Sequence, residues 1–158
     1  MSEDRAFHRL QAVEIDAASL APSGPDAEHE RQVAIFDLLE ANYFQPEGAD
    51  AGPYDLRLSL LDGRLAFDIR GPDFERRHLL SLTPFRNVIK DYFLICDSYH
   101  QAIRTAAPSQ IEALDMGRRG LHNEGSEKLT ERLQGKVATD KETARRLFTL
   151  ICALYRRP

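Results

Sequence analysis

The chain contains little cysteine and no long apolar run. Its two cysteines, Cys96 and Cys152, each lie in an apolar stretch and have no second cysteine nearby in sequence. We therefore expect them to be small buried residues rather than metal ligands, and we expect no metal and no cofactor. Because no run approaches the roughly 18 apolar residues of a membrane-spanning helix, we also expect no membrane contact.

Sequence motifs with a known catalytic mechanism are missing as well. There is no His-Glu-x-x-His zinc pattern, no glycine-rich phosphate loop ending in Lys-Ser or Lys-Thr, and no nucleophile in a strained-turn motif. The segment from Met1 to Arg5 is charged and leads into no apolar stretch, which argues against a secretory signal. These features predict a cytoplasmic protein.

Length and composition fit one soluble domain. Hydrophobic residues make up 42% of the 158 residues and charged residues 29%, which is the balance of a globular protein rather than a disordered tail. We predict a single domain over residues 1–158, with residues 1–8 and 45–53 flexible.

The net charge of −4 is divided unevenly along the chain. Residues 1–80 hold 8 basic and 16 acidic side chains, a net charge of −8, whereas residues 81–158 hold 13 and 9, a net charge of +4. A basic face on the second half would favour anionic partners. Amphipathic helices also carry such charges on a merely solvated face. Nucleic acid is an unfavoured partner, because the overall balance is acidic and no recognisable reading element is present.

The first half of the chain shows a strand and a helix. Residues 10–15 alternate imperfectly between apolar and polar side chains and predict a first strand. A helix should follow, with an apolar face at Val33, Phe36, Leu39 and Tyr43, and it should end before Pro46.

The clearest strand signal is a β-hairpin. Residues 54–60 and 65–69 alternate between apolar and polar side chains, and the pair Asp62-Gly63 separates them. Asp-Gly between two alternating runs is typical of a tight hairpin turn, because both central residues of that turn need a positive φ. A third strand is predicted at residues 78–82.

From Pro84 onward the apolar period becomes that of a helix. Three helices are predicted in this helical half, residues 84–156. Their bounds are 84–105, 109–134 and 140–156. Ser109 and Glu112 have the spacing of a capping box for the second of them. The predicted fold class is α+β: an amino-terminal strand and helix, a small antiparallel sheet built on the hairpin, and three carboxy-terminal helices packed on one face.

One segment, from Asp115 to Glu127, concentrates the residue types that chemistry needs. Its three glycines interleave with six polar candidates, which are Arg118, Arg119, His122, Asn123, Glu124 and Ser126. In a continuous helix, His122 and Glu124 would point to different sides. A break at one of the glycines would gather the polar side chains around one point.

Two interpretations of this segment remain open. In the catalytic one, His122 is a general base and Glu124 is its orienting or second acid-base group. The residues that would bind an anion or a partner are Arg118, Arg119, Asn123 and Ser126. In the structural one, the glycines let helices approach closely, and the polar side chains form a hydrogen-bonded network between the three helices.

The same segment carries a resemblance to a known family. Residues 90–96 read Lys-Asp-Tyr-Phe-Leu-Ile-Cys, and residues 143–152 read Thr-Ala-Arg-Arg-Leu-Phe-Thr-Leu-Ile-Cys. Together with residues 116–127, they resemble uncharacterised protein family 262 of bacteria. The resemblance covers nearly the full chain. It implies a small soluble bacterial protein that stands alone as a domain, and it supplies no activity, cofactor or catalytic residue to carry over.

Three functional hypotheses follow. The leading one is a non-enzymatic binding or regulatory protein that acts through a protein partner, or as a homo-oligomer, by surfaces of its carboxy-terminal helices. The lack of catalytic motifs and the uneven charge favour it. The second is a small hydrolase of a phosphoester or another anionic substrate that uses His122 and Glu124. Nucleic-acid binding is a weaker third.

Overall fold

The computed structural model describes residues 7–19 and 25–155 of the chain. Four strands form one mixed sheet, and they are β1 (Leu10–Ile15), β3 (Tyr54–Leu61), β4 (Arg64–Gly71) and β5 (Phe74–Ser81). Their order across the sheet is β1, β3, β4, β5. Two short strands, β2 (Phe44–Pro46) and β6 (Val137–Thr139), pair antiparallel in a separate sheet.

Helices form the second layer. Within the described ranges they are α1 (Pro25–Glu40), α2 (Arg86–Thr105), α3 (Pro108–Leu133) and α4 (Lys141–Tyr155). α4 packs against both α1 and α3, and α2 packs against α3. The predicted α+β fold class and its three carboxy-terminal helices are therefore confirmed. None of the helices in the described residues combines the length and apolar character needed to cross a membrane.

β3 and β4 form the predicted hairpin around Asp62 and Gly63. These two turn residues have φ values of +50° and +75°, a combination that matches the right-handed twist of the flanking strands. The register places Leu58 opposite Phe67, so the apolar side chains of both strands point to the same face of the sheet.

The sheet has one buried face and one charged face. The side chains of β3 and β4 that are at most 1% exposed on the inner face are Tyr54, Leu56, Leu58, Leu65, Phe67 and Ile69. They join Leu147 and Phe148 of α4 in one hydrophobic cluster. On the outer face, Asp68 accepts a hydrogen bond from the Arg77 guanidinium, with Nε and Oδ1 2.5 Å apart. The helices thus cover one face and leave solvated ion pairs on the other.

The pairing of β1 adds a parallel strand, which the sequence did not predict, to the predicted antiparallel sheet. β1 runs parallel to β3, with Val13 opposite Leu56. The chain between them contains α1, and a crossover of this kind is what joins parallel neighbours. The hairpin pattern in the sequence predicts only the pairing of β3 with β4. The third predicted strand is also longer than expected, since β5 begins at Phe74 rather than at His78.

α1 presents a different face to the core than the sequence predicted. Val33 and Phe36 are 45% and 69% exposed, whereas Ala34 and Leu38 are buried. The buried pair lies four positions apart, on one stripe of the helix, and the small Ala34 side chain permits close packing where α1 meets α4. Of the predicted face, Leu39 does pack against the core, and Tyr43 lies beyond the end of α1.

The predicted cap of α3 is also wrong. α3 begins at Pro108, so Ser109 lies inside the helix. The side-chain oxygen of Gln110 accepts a hydrogen bond of 3.4 Å from the backbone N–H of Ala107 instead. Proline suits the first helical position because that position needs no N–H.

Of the two segments predicted to be flexible, residues 1–8 are described only from Phe7 onward, and residues 45–53 are described in full. Residues 1–6 lie outside the described residues, whereas His8 is buried and its Nδ1 lies 2.7 Å from the Tyr54 hydroxyl. Residues 45–53 include part of β2, and the carbonyl of Glu47 accepts a hydrogen bond of 2.9 Å from Arg76. The flexibility of both segments stays a prediction.

Candidate functional site

α3 runs without a break through the segment that holds the candidate residues. All three glycines of the segment lie inside the helix, so the alternative of a break is wrong. Gly125 is buried, and a β-carbon at this position would overlap the ring of Phe148 on α4. Gly125 therefore lets α3 and α4 approach closely, as the structural interpretation of the segment requires.

His122 points from α3 towards α4. Its Nε2 lies 2.7 Å from the hydroxyl oxygen of Thr149. The centroid of its ring lies 5.3 Å from that of Phe148 and 5.6 Å from that of Tyr92. Its Nδ1 is buried and makes no hydrogen bond within the described part of the chain. The imidazole therefore packs at the junction of α2, α3 and α4.

The surroundings of His122 keep its imidazole uncharged. Burial lowers the pKa of His122 to about 4, the charges of Arg145 and Arg118 act in the same direction, and Glu142 opposes them. At pH 7 the ring is therefore neutral and only weakly basic. A general base is most effective when its pKa lies near the working pH, so this environment does not tune His122 for that task.

Glu124 does not join His122. The two residues are two positions apart on α3, which places them about 200° apart around the helix axis. Glu124 is exposed, whereas His122 faces α4. His122 and Glu124 therefore do not form the catalytic pair that the sequence suggested.

Arg118 and Arg119 both bind Asp115, about one helical turn earlier. Each guanidinium places an Nη2 atom 2.6 Å from a different oxygen of the Asp115 carboxylate. The guanidinium of Arg118 also lies over the ring of Tyr99 on α2, with 4.4 Å between its central carbon and the ring centroid. Arg118 therefore connects α3 to α2, whereas the side chain of Arg119 is 71% exposed.

Asn123 and Ser126 make internal contacts as well. The side-chain oxygen of Asn123 accepts a hydrogen bond from Arg145 of α4. The hydroxyl of Ser126 donates a hydrogen bond of 2.8 Å to the carbonyl oxygen of His122. Both residues line a shallow groove of about 420 Å³ between α3 and the start of α4.

A larger groove, which the sequence did not predict, lies between α1 and α2 and has α4 as its floor. We call it the α1–α2 groove, and its volume is about 1310 Å³. Apolar members of its lining are Ala34 of α1, Ile89 and Phe93 of α2, and Ala153 of α4. Of the six polar candidates, Arg118 alone contributes to its wall.

The floor of the α1–α2 groove is uncharged. Cys152 is 4% exposed, and burial raises the pKa of its thiol. Burial also raises the pKa of the Tyr92 hydroxyl, which makes a hydrogen bond with Cys96. The Cys152 thiol and the Tyr92 hydroxyl are therefore protonated at pH 7. Cys152 is buried as predicted, whereas Cys96 is only partly buried because it lies at the groove.

The rims of the α1–α2 groove carry exposed apolar side chains and charges. Val33 on α1 is 45% exposed and Leu94 on α2 is 56% exposed, and both contribute to the lining. The charged residues are Glu30 and Asp37 on the α1 rim, and Arg86, Lys90, Asp97 and Arg118 on the opposite rim. An apolar floor between charged rims is suited to an amphipathic ligand.

Sequence similarity assigns the chain to a family. The profile of the Uncharacterised protein family (UPF0262) matches residues 7–157. The chain belongs to this family. A UPF0262 protein of Caulobacter vibrioides is 70% identical and one of Phenylobacterium zucineum is 66% identical, each over 158 residues and 99% of both chains. A UPF0262 protein of Nitrobacter winogradskyi is 61% identical over 98% of this chain and 93% of its own. No solved structure matches.

Proposed function

We propose that this UPF0262 protein is a non-enzymatic binding protein that receives a polypeptide surface of a partner in its α1–α2 groove. One observation carries the proposal: the groove combines an apolar floor with exposed apolar side chains on both rims. Val33 and Leu94 face solvent although they lie beside the apolar lining. Contiguous exposed apolar surface bordered by polar residues is a common mark of a protein interaction site.

The geometry favours a polypeptide over a small reactive substrate. The groove has a volume of about 1310 Å³, and burial keeps two titratable groups in its lining, Cys152 and Tyr92, protonated. An amphipathic helix binds such a groove through apolar side chains that recur every three or four residues. The exposed rim charges would then meet polar side chains at the edge of the contact.

Hydrolysis has less support from the structure. His122 has a pKa of about 4 and makes a close contact with Thr149, and Glu124 points to another side of α3. The two arginines that would hold an anion share the carboxylate of Asp115. These contacts tie α3 to its neighbours, which favours a structural role for the segment.

Nucleic-acid binding has less support as well. A phosphate backbone is bound by a surface of one positive sign. The α1–α2 groove instead carries carboxylates on both rims, with Glu30 on one and Asp97 on the other. A strand of phosphates in this groove would therefore meet only carboxylates on the α1 rim, and a further carboxylate lies among the basic groups of the opposite rim.

Site-specific photocrosslinking in cells tests the proposal. A photoreactive amino acid replaces Leu94, which lines the groove, or Ile103, a matched control that lies on the same helix outside the lining and is 52% exposed. We expect a discrete covalent adduct with one polypeptide from position 94 and none from position 103. Charge substitution of the facing rim, Val33→Glu, should remove the adduct at position 94. Adducts in equal yield from the two positions, or no adduct from position 94, would contradict the proposal.

A further inference from the structure

The two rims of the α1–α2 groove differ in charge. Glu30 and Asp37 give the α1 rim an acidic edge. On the opposite side, Arg86 and Lys90 outnumber the single carboxylate of Asp97, whereas the guanidinium of Arg118 is paired with Asp115. The difference reflects the whole sequence, because α1 belongs to the half with a net charge of −8 and α2 to the half with a net charge of +4.

Two rims of opposite sign make the groove complementary to itself. When two copies meet groove to groove about a two-fold axis that runs along the groove, α1 of each copy lies against α2 of the other. The acidic rim of one copy then faces the basic rim of the other, and the same contact is made twice. This is the geometry of an isologous interface, in which one surface patch pairs with its own image.

The exposed apolar side chains fit the same arrangement. Val33 of one copy would approach Leu94 of the second copy, and Phe36, 69% exposed and one turn from Val33 on α1, would add apolar area to the contact. Each chain supplies both halves of this contact. A two-fold axis across the groove, by contrast, would place acidic rim against acidic rim and is opposed by charge.

We propose that the occupant of the α1–α2 groove is a second copy of this chain, so that the protein forms a two-fold homodimer through this groove. The proposal rests on the proposed function, which assigns the groove to polypeptide binding. The charge difference between the rims selects the second copy over an unrelated partner, because one chain carries both signs in the positions that the two-fold contact needs.

Charge reversal on one rim at a time tests the dimer. The first variant combines Glu30→Lys with Asp37→Lys, and the second combines Arg86→Glu with Lys90→Glu. In a dimer of either variant, each α1 rim would face an α2 rim of the same charge, and this would happen in both of the symmetric contacts. Juxtaposed like charges at an interface weaken association strongly. We expect the dimer dissociation constant, measured by sedimentation equilibrium, to rise by at least about 100-fold in each variant.

Mixing the two variants supplies the decisive comparison. In a heterodimer of the two, every reversed rim meets an oppositely charged rim, so the mixture should associate to within about tenfold of the unaltered chain. A control with the same charge change outside the groove, Glu112→Lys with Glu124→Lys on α3, should dimerise as the unaltered chain does. Far-ultraviolet circular dichroism of each variant verifies the fold.

The outcomes separate this proposal from the one on which it rests. An unaltered chain that stays monomeric at all concentrations, or reversed variants that dimerise normally, would overturn the homodimer. If position 94 still crosslinks to a different polypeptide, the groove remains a binding site with another occupant. If position 94 crosslinks no better than position 103, the groove itself is the wrong site, and both proposals fail.

Discussion

The two sides of α4 differ in how completely the rest of the protein covers them. On one side, Phe148 packs against Gly125 of α3, where there is no room even for a β-carbon. On the other, Ala153 lines the α1–α2 groove, which has a volume of about 1310 Å³. A single helix thus makes a closed structural contact and an open one.

The difference shows which polar residues support the fold. The candidate Asn123 contacts Arg145 on the closed side, and the candidate His122 contacts Thr149, which lies between the closed side and the groove. They link α3 to α4 and leave no assembled acid-base pair. The open side carries ordinary apolar and charged residues that no catalytic motif marks, and a protein interface needs no more than that.

The largest effect should come from filling the closed contact. Gly125→Val would force a branched side chain into the ring of Phe148, which is fully buried. Overpacking a rigid core costs about 1–3 kcal/mol and occasionally more, and here the added atoms meet three ring carbons. We expect a loss of at least about 3 kcal/mol in the free energy of unfolding, or a melting temperature roughly 6–12 °C lower for a chain of this length.

Gly120→Ala is the matched control on the same helix. A β-carbon at Gly120 would meet nothing within 4 Å, and alanine in a helix interior is favoured over glycine by about 1 kcal/mol. The substitution should therefore stabilise the protein slightly. If Gly125→Val also proves neutral in a urea titration, the close approach of α3 and α4 is not what the glycine serves.

A smaller loss of stability should occur when the pH is lowered, because of His122 at the junction of α2, α3 and α4. The ordinary pKa of histidine is 6.5, and in the folded chain that of His122 is about 4. Between these values the unfolded chain binds a proton that the folded chain excludes, so stability falls as pH decreases from 6.5 to 4 and is fully present above 6.5. After allowance for solvent screening of a partly exposed ring, the loss is about 1–2 kcal/mol.

Urea titrations at pH 7 and pH 4.5 measure this loss, with His122→Asn as the control. The variant keeps a polar side chain near Thr149 and has no imidazole to protonate. Its stability should fall less over the same interval. We expect the variant to keep some pH dependence of stability because of His78. Burial and the charges of Arg76 and Lys136 lower the pKa of that residue too. An unchanged pH dependence in His122→Asn would show that His122 titrates normally.

The elements of the fold that depend only on residues close together in sequence were predictable. The hairpin at Asp62-Gly63 needs only two residues with positive φ between alternating runs. The three late helices follow from apolar residues at intervals of three and four. The parallel pairing of β1 with β3 was not predictable in this way, since it joins residues about 43 positions apart and no local pattern encodes it.

The groove escaped prediction for a related reason. Val33 and Phe36 were assigned to the core because they recur at helical spacing, and the same spacing fits an exposed binding stripe equally well. Only the packing of α1 on α4, through Ala34 and Leu38, decides which stripe is buried. The uneven charge was visible in the sequence, but its placement on two facing rims required the tertiary fold. By contrast, the polar segment of α3 was easy to find and proved to make contacts between helices.

The smallest effect on stability should come from shortening the exposed side chains at the rims of the α1–α2 groove. Val33→Ala and Leu94→Ala remove exposed side chains, and surface substitutions usually change the free energy of unfolding by less than about 0.5 kcal/mol. The buried Leu147→Ala, in contrast, should cost about 2–5 kcal/mol. Denaturation of each variant at two protein concentrations separates folding from self-association, because a dimer contact stabilises more as concentration rises. A loss above 1 kcal/mol at the lower concentration would mean that the rims pack within each chain, which removes the basis for a binding groove.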